Sequence, residues 1–451
     1  MKSKWERPQV LTIVIVISLF AQSVMSQSKP LNIKQAIDIA LANNYGLQSD
    51  SLNMQITDYK NKETAGYYLP QANVKSSMEY NAALPKQMLP GEIAGQPAKD
   101  YVPVTFGTRY KMGTGLEVTQ NIYRKDLLIK MKAAGLNSDV ARLKFQVSKE
   151  ELIYEVANSF YSLQTNAEKI RATAKDYNNM KEILVIAKAQ YDQGTMKRID
   201  YETLEINVAN EWSQLKQLKT QYDEQLEYFK YQLAVPASAT ITIDESISPV
   251  AVVAQVDDIS QRSDLHLLTR NIELKESEIK SIRAEKTPVI STYFRFNYES
   301  QFGDINKAFN QDYWYKAATF GVSTSIPIFD GNRRKSRVSA AQSELQQLKL
   351  QHGQQEQYAQ TELTTAKQTL DNNTEQYHIT QKNLALAEKV FASRKALYSE
   401  GVSSLVELLD AEKDLTRARD LYTEALINVQ TGILKVHKAN GTLVTGFLKS
   451  I

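Results

Sequence analysis

The stretch Tyr-Ser-Glu-Gly-Val-Ser-Ser-Leu-Val-Glu-Leu-Leu-Asp, residues 398–410, decides the fold, because a long helical pattern ends before it and another begins after it. Gly401 can adopt the left-handed conformation that closes a helix. Ser403 or Ser404 can cap the next helix, and Glu407 stands at the distance that a capping box requires. The stretch therefore predicts a hairpin turn between two helices.

A second copy of this turn lies upstream in the chain. Four residue pairs keep a constant separation of 207 (398 − 191 = 207): Tyr191 with Tyr398, Gly194 with Gly401, Asp200 with Glu407, and Glu205 with Glu412. Leu69-Pro70 and Thr287-Pro288 also match, at a separation of 218 residues (287 − 69 = 218). The separation is shorter at the turns because the first copy has the longer loop between its strands. The chain is therefore predicted to be a duplication, with a first repeat over residues 27–256 and a second over 257–451.

The N-terminus has the layout of a secretory signal peptide. Lys2, Lys4 and Arg7 precede an apolar run over residues 11–21, and small residues follow it. We expect a cleaved signal over residues 1–26. A single membrane anchor is the alternative, but the apolar run is about half the roughly 20 residues that span a bilayer.

Composition excludes several classes of function. The chain has 451 residues, no cysteine and a formal net charge of +3, which is too balanced to indicate nucleic-acid binding. Its four histidines, residues 266, 352, 378 and 437, lack metal-ligand spacing, and the sequence contains no nucleophile elbow, P-loop or dinucleotide loop. We therefore expect neither enzyme activity nor a bound metal or cofactor.

Four segments alternate between apolar and polar residues, as strands with two different faces do. They cover residues 71–81, 108–122, 289–302 and 317–328. Each has about the length of a tilted transmembrane strand, although the faces of a soluble sandwich would alternate in the same way. Four strands cannot close a barrel, and lipid does not tolerate an open sheet edge. Other subunits would have to complete a membrane barrel.

Aromatic residues cluster near the ends of these segments. Such clusters are typical of the interfacial girdles of membrane barrels. The girdle residues predicted here are Tyr67, Tyr68, Tyr123, Tyr293, Tyr313, Trp314, Tyr315 and Phe329.

The remaining segments are predicted to be helical. They are residues 31–65, with a short amphipathic helix over 31–47 and a second run over 47–65, and residues 125–192, 197–234, 264–285, 332–399 and 404–439. A linker precedes residue 257, and a short tail ends the chain. Apolar residues recur at strict sevens in the last long helix: Leu408, Leu415, Tyr422, Val429 and Val436. This period indicates a left-handed coiled bundle. Helices of about 65 residues would be on the order of 100 Å long.

This order of elements resembles the TolC-like outer-membrane efflux family over essentially the whole mature chain. The matching motifs are the helical pattern over residues 31–47, Arg262-Ser263-Asp264-Leu265, Ile326-Pro327-Ile328-Phe329-Asp330-Gly331, and the two Tyr-x-x-Gly turns. The resemblance implies a mixed fold: a membrane β-barrel with four strands per subunit, twelve strands in a homotrimer, and a coiled-coil helical tunnel. It also implies location in the outer membrane of a Gram-negative bacterium, with the helices in the periplasm.

The function that the resemblance implies is a passive exit duct for tripartite efflux or type I secretion. The implied partners are a periplasmic adaptor, an inner-membrane pump that supplies the energy, and outer-membrane lipid, with no nucleic acid. The sequence leaves open whether the cargo is a small molecule, a metal ion or a polypeptide. A structural coiled-coil protein of the cell envelope without a pore is the alternative.

The resemblance also assigns residues at the two turns. Asp200, Tyr398, Glu407 and Asp410 correspond to the periplasmic gate, while the adaptor would contact the tips at Gly194, Thr195, Gly401, Val402 and Ser403. Ser403 replaces a basic bridging residue of the family, so the expected latch of the closed state is either weaker or formed by Lys197 or Arg198 instead. A simpler explanation for Glu407 and Asp410 is that a helix N-terminus favours acidic residues.

Overall fold

The computed structural model describes residues 30–247 and 258–451. The predicted signal peptide and linker residues 248–257 lie outside these ranges. In chain order, the helices are α1 (Ile33–Asn43), α2 (Tyr45–Gly66), α3 (Lys125–Lys132), α4 (Ala134–Asp192), α5 (Arg198–Gln232), α6 (Ser263–Ala284), α7 (Arg333–Ser399), α8 (Leu405–Ala439) and α9 (Leu448–Ser450). The strands are β1 (Gln71–Tyr80), β2 (Lys86–Pro90), β3 (Tyr101–Thr105), β4 (Tyr110–Tyr123), β5 (Val289–Phe302) and β6 (Trp314–Ser325).

Four strands form one antiparallel sheet in the order β1-β4-β5-β6, so strands from the two halves of the sequence pair at its centre. The register places Phe296 between Leu116 and Ala318, while Arg295 lies opposite Glu117. One face is therefore apolar and the other polar, because side chains alternate along each strand. Apolar side chains on the first face remain open to the surroundings, and Phe320 is 73% exposed.

Two strand predictions need correction. The last strand of the sheet covers Trp314–Ser325 instead of residues 317–328. Pro327 lacks the N–H that a ladder requires, and a residue before proline is conformationally restricted, which accounts for the earlier end. The predicted loop between β1 and β4 also contains the two-stranded β2–β3 hairpin. Prolines at positions 90 and 103 argued against strands there.

The predicted helices over residues 31–65, a short amphipathic helix and the helical run after it, are α1 and α2 in the structure. Asn32 caps α1 in a capping box with Gln35. Asn44 leaves the helical conformation at ψ 123°, and its side-chain oxygen accepts a hydrogen bond of 3.1 Å from the Leu47 N–H. The side chain of Asn44 thus satisfies an N–H in the first turn of α2. The predicted helix over residues 125–192 is interrupted, at Ala133, between α3 and α4.

The chain divides into two compact units, and each unit draws on both halves of the sequence. The helical unit comprises Arg142–Leu267, His352–Ile451 and the chain up to Leu52. Its largest apolar core includes Ile153, Phe160, Phe229 and Leu434, each at most 2% exposed. No helix within the described residues combines the length and the apolar character needed to cross a membrane.

The second unit comprises Asn53–Ala141 and Leu268–Gln351. It holds the four-stranded sheet together with α6 and the beginning of α7. These two helices share a small apolar core in which Ile279 and Ile282 of α6 pack with Val338 and Ala341 of α7.

Candidate functional site

The two turns have the same backbone geometry. Gly194 and Gly401 have φ angles of 74° and 76°, the left-handed region that favours glycine. Each glycine N–H donates to the carbonyl of the tyrosine three residues earlier, at 2.9 and 3.0 Å. The next N–H in each turn donates to the carbonyl five residues earlier, at 2.9 Å in both. These bonds satisfy carbonyls that a helix end leaves free.

The two turns differ in how the following helix is capped. Ser404 caps α8, since its hydroxyl accepts from the Glu407 N–H at 3.3 Å and the Glu407 carboxylate accepts from the Ser404 N–H at 3.4 Å. The structure thus selects Ser404 of the two serines that the sequence allowed. Lys197 precedes α5 without a side-chain cap. The second turn therefore has a side-chain closure that the first lacks.

The carboxylate of Glu407 holds the second turn against α7. It accepts hydrogen bonds from the Ser403 hydroxyl at 2.5 Å and from the Arg394 guanidinium at 3.1 Å. The Ser403 hydroxyl, the Ser404 N–H and the positive charge of Arg394 together lower the pKa of Glu407. The carboxylate is therefore ionised at neutral pH, and it fixes the turn through several donors at once.

Tyr398 connects the two helix pairs just above the turns. Its ring is 5% exposed, and its hydroxyl donates to the side-chain oxygen of Gln190 in α4 at 3.1 Å. Burial raises the pKa of Tyr398, and the negative charge of half-buried Asp200 acts in the same direction. The phenol therefore keeps its proton at neutral pH and remains a donor to Gln190.

A second connection between the helix pairs is an ion pair. Lys395 of α7 lies 2.9 Å from the carboxylate of Glu182 in α4. Arg198, a predicted latch residue, instead pairs with Glu202 of its own helix at 2.7 Å. Sequence reasoning missed Lys395 and Glu182, because their positions in the two repeats do not correspond.

Replacing Tyr398 with phenylalanine should weaken the connection while keeping the buried ring. We expect a loss of about 1 kcal/mol in the free energy of unfolding, the usual net contribution of one hydrogen bond. A double-mutant cycle with Gln190→Ala, measured by denaturant unfolding, checks this value. Additive effects of the two substitutions would contradict the connection.

The predicted contact residues at the tips are mostly open. Gly194, Thr195, Gly401 and Val402 are exposed, with Val402 at 72%, whereas Ser403 is half-buried. Asp410, a predicted gate residue, is also exposed and lies one helical turn after Glu407. The structure therefore brings Glu407, Tyr398 and Asp200 to one end of the helical unit and leaves the tips accessible.

A group of buried charges lies farther from the tips in the same unit. Asp176 of α4 is 2% exposed and pairs with Arg419 of α8, which is 8% exposed. The Thr416 hydroxyl donates to the same carboxylate at 3.0 Å. Glu412, 5% exposed, faces the charges of Asp176, Glu211 and Arg419. We call Asp176, Glu211, Glu412 and Arg419 the buried charge cluster.

One carboxyl group of the buried charge cluster has an unusual pKa. Burial, together with the negative charges of Asp176 and Glu211, raises the pKa of Glu412 to about 7 against the opposing charge of Arg419. One oxygen of Glu412 and one guanidinium nitrogen of Arg419 are buried without a hydrogen-bond partner. Glu412 is therefore costly to ionise in the folded protein.

The aromatic residues predicted to form girdles lie toward the two ends of the sheet. Those toward the helices are Tyr67, Tyr68, Tyr123, Tyr293 and Phe329, and those toward the loops are Tyr313, Trp314 and Tyr315. Phe329 is 80% exposed, whereas the Tyr68 hydroxyl bonds with the backbone of Arg124 and the Trp314 ring N–H donates to Ala308.

Across residues 30–247 and 258–451, no three acidic or histidine side chains are grouped so that they could hold a metal ion.

Comparison with known proteins gives a consistent result. A family model described as outer membrane efflux protein matches residues 36–229 and 259–442. The outer membrane protein TolC of Escherichia coli K12 is 22% identical over 471 residues, which cover 96% of this chain and 87% of TolC. The cation efflux system protein CusC of the same organism is 22% identical over 423 residues, which cover 91% of this chain and 86% of CusC.

Solved structures show the same fold. A CusC structure superposes with a TM-score of 0.74 at 19% identity, covering 93% of this chain and 95% of that one. The CmeC outer membrane channel of Campylobacter jejuni has a TM-score of 0.76 at 16% identity, covering 91% and 85%. The predicted combination of barrel strands and long tunnel helices is therefore confirmed. The family model matches more than half of the residues of this chain, and the chain therefore belongs to the outer membrane efflux protein family.

Proposed function

We propose that this protein is a homotrimeric passive exit duct for tripartite efflux or type I secretion. In this proposal the four-stranded sheets of three copies close a twelve-stranded barrel in the outer membrane. The long helices form a tunnel through the periplasm, and an inner-membrane pump supplies energy through a periplasmic adaptor.

The observation that carries the proposal is the four-stranded sheet with an exposed apolar face. Its outer strands β1 and β6 each have one partner strand in the sheet. In lipid, the unpaired backbone groups of such edges would cost several kcal/mol each, so the edges must pair with other strands. Three copies would supply twelve strands and leave no edge. A coiled-coil protein without a pore would have no use for this sheet.

The turns support the assignment of the gate and the docking tips. Glu407 and Asp410 would give six carboxylates around a narrow mouth in a trimer, an arrangement that favours cations. The exposed residues Gly194, Thr195, Gly401 and Val402, together with Ser403, would meet the adaptor. The aromatic residues at the two ends of the sheet would lie at the two lipid interfaces.

Membrane fractionation followed by conductance in a planar bilayer tests the proposed function. We expect the mature protein in the outer-membrane fraction and stable, cation-selective conductance from the purified trimer. A photo-crosslinker at Val402 should capture the adaptor, whereas one at Val185, which is 71% exposed but away from the turn, should not. A protein that fractionates with membranes yet never conducts would support the pore-free alternative.

Removing the acidic residues of the gate should open the mouth. In the Glu407→Ala/Asp410→Ala variant, the turn loses its bonds to Ser403 and Arg394, and Arg394 loses its counter-charge. Single-channel conductance should therefore rise, and cation selectivity should fall. The matched control, Glu375→Ala/Glu388→Ala, removes the same charge from exposed positions of α7 and should conduct as the wild type does. Unchanged conductance in the gate variant would exclude these residues from the gate.

A further inference from the structure

A basic cleft lies where the second repeat passes from sheet to helix. It has a volume of about 430 Å³ and lies between the last turn of α6 and the first turns of α7. Arg283 and Lys286 line one side, and Arg334 and Lys335 line the other. Asp330 is the acidic residue among the lining side chains, so the cleft carries an excess of three positive charges.

Most of this positive charge has no counter-ion within residues 30–247 and 258–451. Arg334 lies 3.6 Å from Asp330, which partly balances it. Arg283, Lys286 and Lys335 are exposed and form no ion pair with any residue that the structure describes. Lys335 also lies in the first turn of α7, where the helix dipole makes a cation unfavourable. An anion in the cleft would relieve both effects.

The other passage from sheet to helix, after β4, carries less unpaired positive charge. Arg124 pairs there with Asp126 at 3.2 Å, and the carboxylate of Asp126 is 8% exposed. The backbone of Arg124 also exchanges hydrogen bonds with the Tyr68 hydroxyl. Only Lys125 is left unpaired there among the described residues, so the excess of cations is larger at the second junction.

Exposed apolar side chains lie directly before the basic cleft in the chain. Ile326, Ile328 and Phe329 are 57%, 93% and 80% exposed, and Asp330 of the cleft follows them. A cationic pocket next to exposed aliphatic and aromatic groups suits a ligand with an anionic head and an apolar tail. A free inorganic anion would use the cations and leave the apolar residues uncovered.

We propose that the basic cleft binds the phosphate of an anionic phospholipid headgroup, with Ile328 and Phe329 beside the acyl chains. Lys286, Lys335 and Arg283 would hold the phosphate from opposite sides of the cleft. The proposal rests on the proposed function, because that function places the sheet in the membrane with α6 and α7 at its periplasmic surface. The lipid would fix the depth at which the barrel sits.

Native mass spectrometry of the purified full-length protein tests this assignment. The protein is released from detergent micelles that contain either phosphatidylglycerol or zwitterionic phosphatidylcholine, and bound lipids are counted. Wild-type protein should retain phosphatidylglycerol preferentially. Each lysine near an anionic lipid contributes about fivefold to affinity, so Lys286→Gln/Lys335→Gln should weaken retention by at least about tenfold. Phosphatidylcholine retention should not change.

Two further variants make the comparison specific. Lys382→Gln/Lys389→Gln removes the same charge from exposed positions of α7 outside the cleft and should retain phosphatidylglycerol as the wild type does. Lys286→Arg/Lys335→Arg keeps the charge and should restore retention. Equal retention by the glutamine variant and the wild type would overturn the proposal.

Other occupants of the cleft predict different results. Complete displacement of phosphatidylglycerol by inorganic phosphate, with no effect of Ile328→Ser/Phe329→Ser, would overturn the lipid assignment in favour of a free anion. A glutamine variant that loses its oligomeric mass but keeps its lipid would show that a second copy covers the cleft.

Conductance of the same preparations separates the lipid-site proposal from the duct proposal. A protein that conducts but shows no lipid preference would contradict only the lipid site. A protein that retains the lipid but never conducts would contradict only the proposed duct function.

Discussion

Replacing Arg419 with methionine is expected to lower the free energy of unfolding by about 3–5 kcal/mol, the usual cost of breaking a buried ion pair from one side. In this variant the Asp176 carboxylate, which is 2% exposed, would still accept a hydrogen bond from the Thr416 hydroxyl. It would have lost its partner guanidinium. Thermal unfolding followed by circular dichroism should show a midpoint several degrees lower.

Two comparisons show whether the ion pair is the cause. Arg417→Met changes an exposed arginine of the same helix and should leave the midpoint nearly unchanged. Asp176→Asn/Arg419→Met removes both charges of the pair, so most of the stability should return, because Asp176 no longer leaves an unpaired carboxylate in the interior. If the double variant is as unstable as Arg419→Met, lost packing of the arginine side chain explains the effect instead.

The second large effect is a pH dependence that Glu412 imposes. The pKa of this carboxyl group is raised from its ordinary value of 4.5 to about 7 in the folded protein. Between these two values, the folded protein holds a proton that the unfolded chain has released. Stability should therefore fall as pH rises through this window, by up to about 3 kcal/mol, and should level off above pH 7.

Glutamine at position 412 should remove this pH dependence, because its amide does not ionise. We expect Glu412→Gln to match or exceed the wild type in stability at pH 8 and to lose less stability than the wild type between pH 5 and 8. Glu424→Gln, at an exposed position of the same helix, should retain the wild-type profile. Denaturant unfolding at a series of pH values measures the difference. Parallel profiles for Glu412→Gln and the wild type would refute the assignment.

Local features of this protein could be predicted from its sequence. The turn at Gly401 and the capping box formed by Ser404 and Glu407 depend on residues within a few positions of each other. The apolar and polar faces of the sheet follow from the alternation of apolar and polar residues along each strand. Leu116 and Phe296, which lie opposite each other, stand on the apolar face. These features depend on conformational preference and periodicity, which a single segment encodes.

Contacts between distant segments could not be predicted in this way. Tyr398 and Gln190 are 208 residues apart, and Asp176 and Arg419 are 243 apart. Their partners depend on how the two repeats pack together, and the duplicated pattern does not specify this. The assignments of gate and tip residues came from the family resemblance and stay predictions until conductance and crosslinking are measured.

Because the two turns are capped differently, the helices that follow them should differ in local stability. Side chains close the start of α8, whereas the start of α5 has no side-chain cap. Amide hydrogens in the first turn of α5 should accordingly exchange with solvent sooner than those of α8. The two copies would then differ in local stability although their turns share one backbone geometry, so each turn could be loosened or tightened by its cap alone.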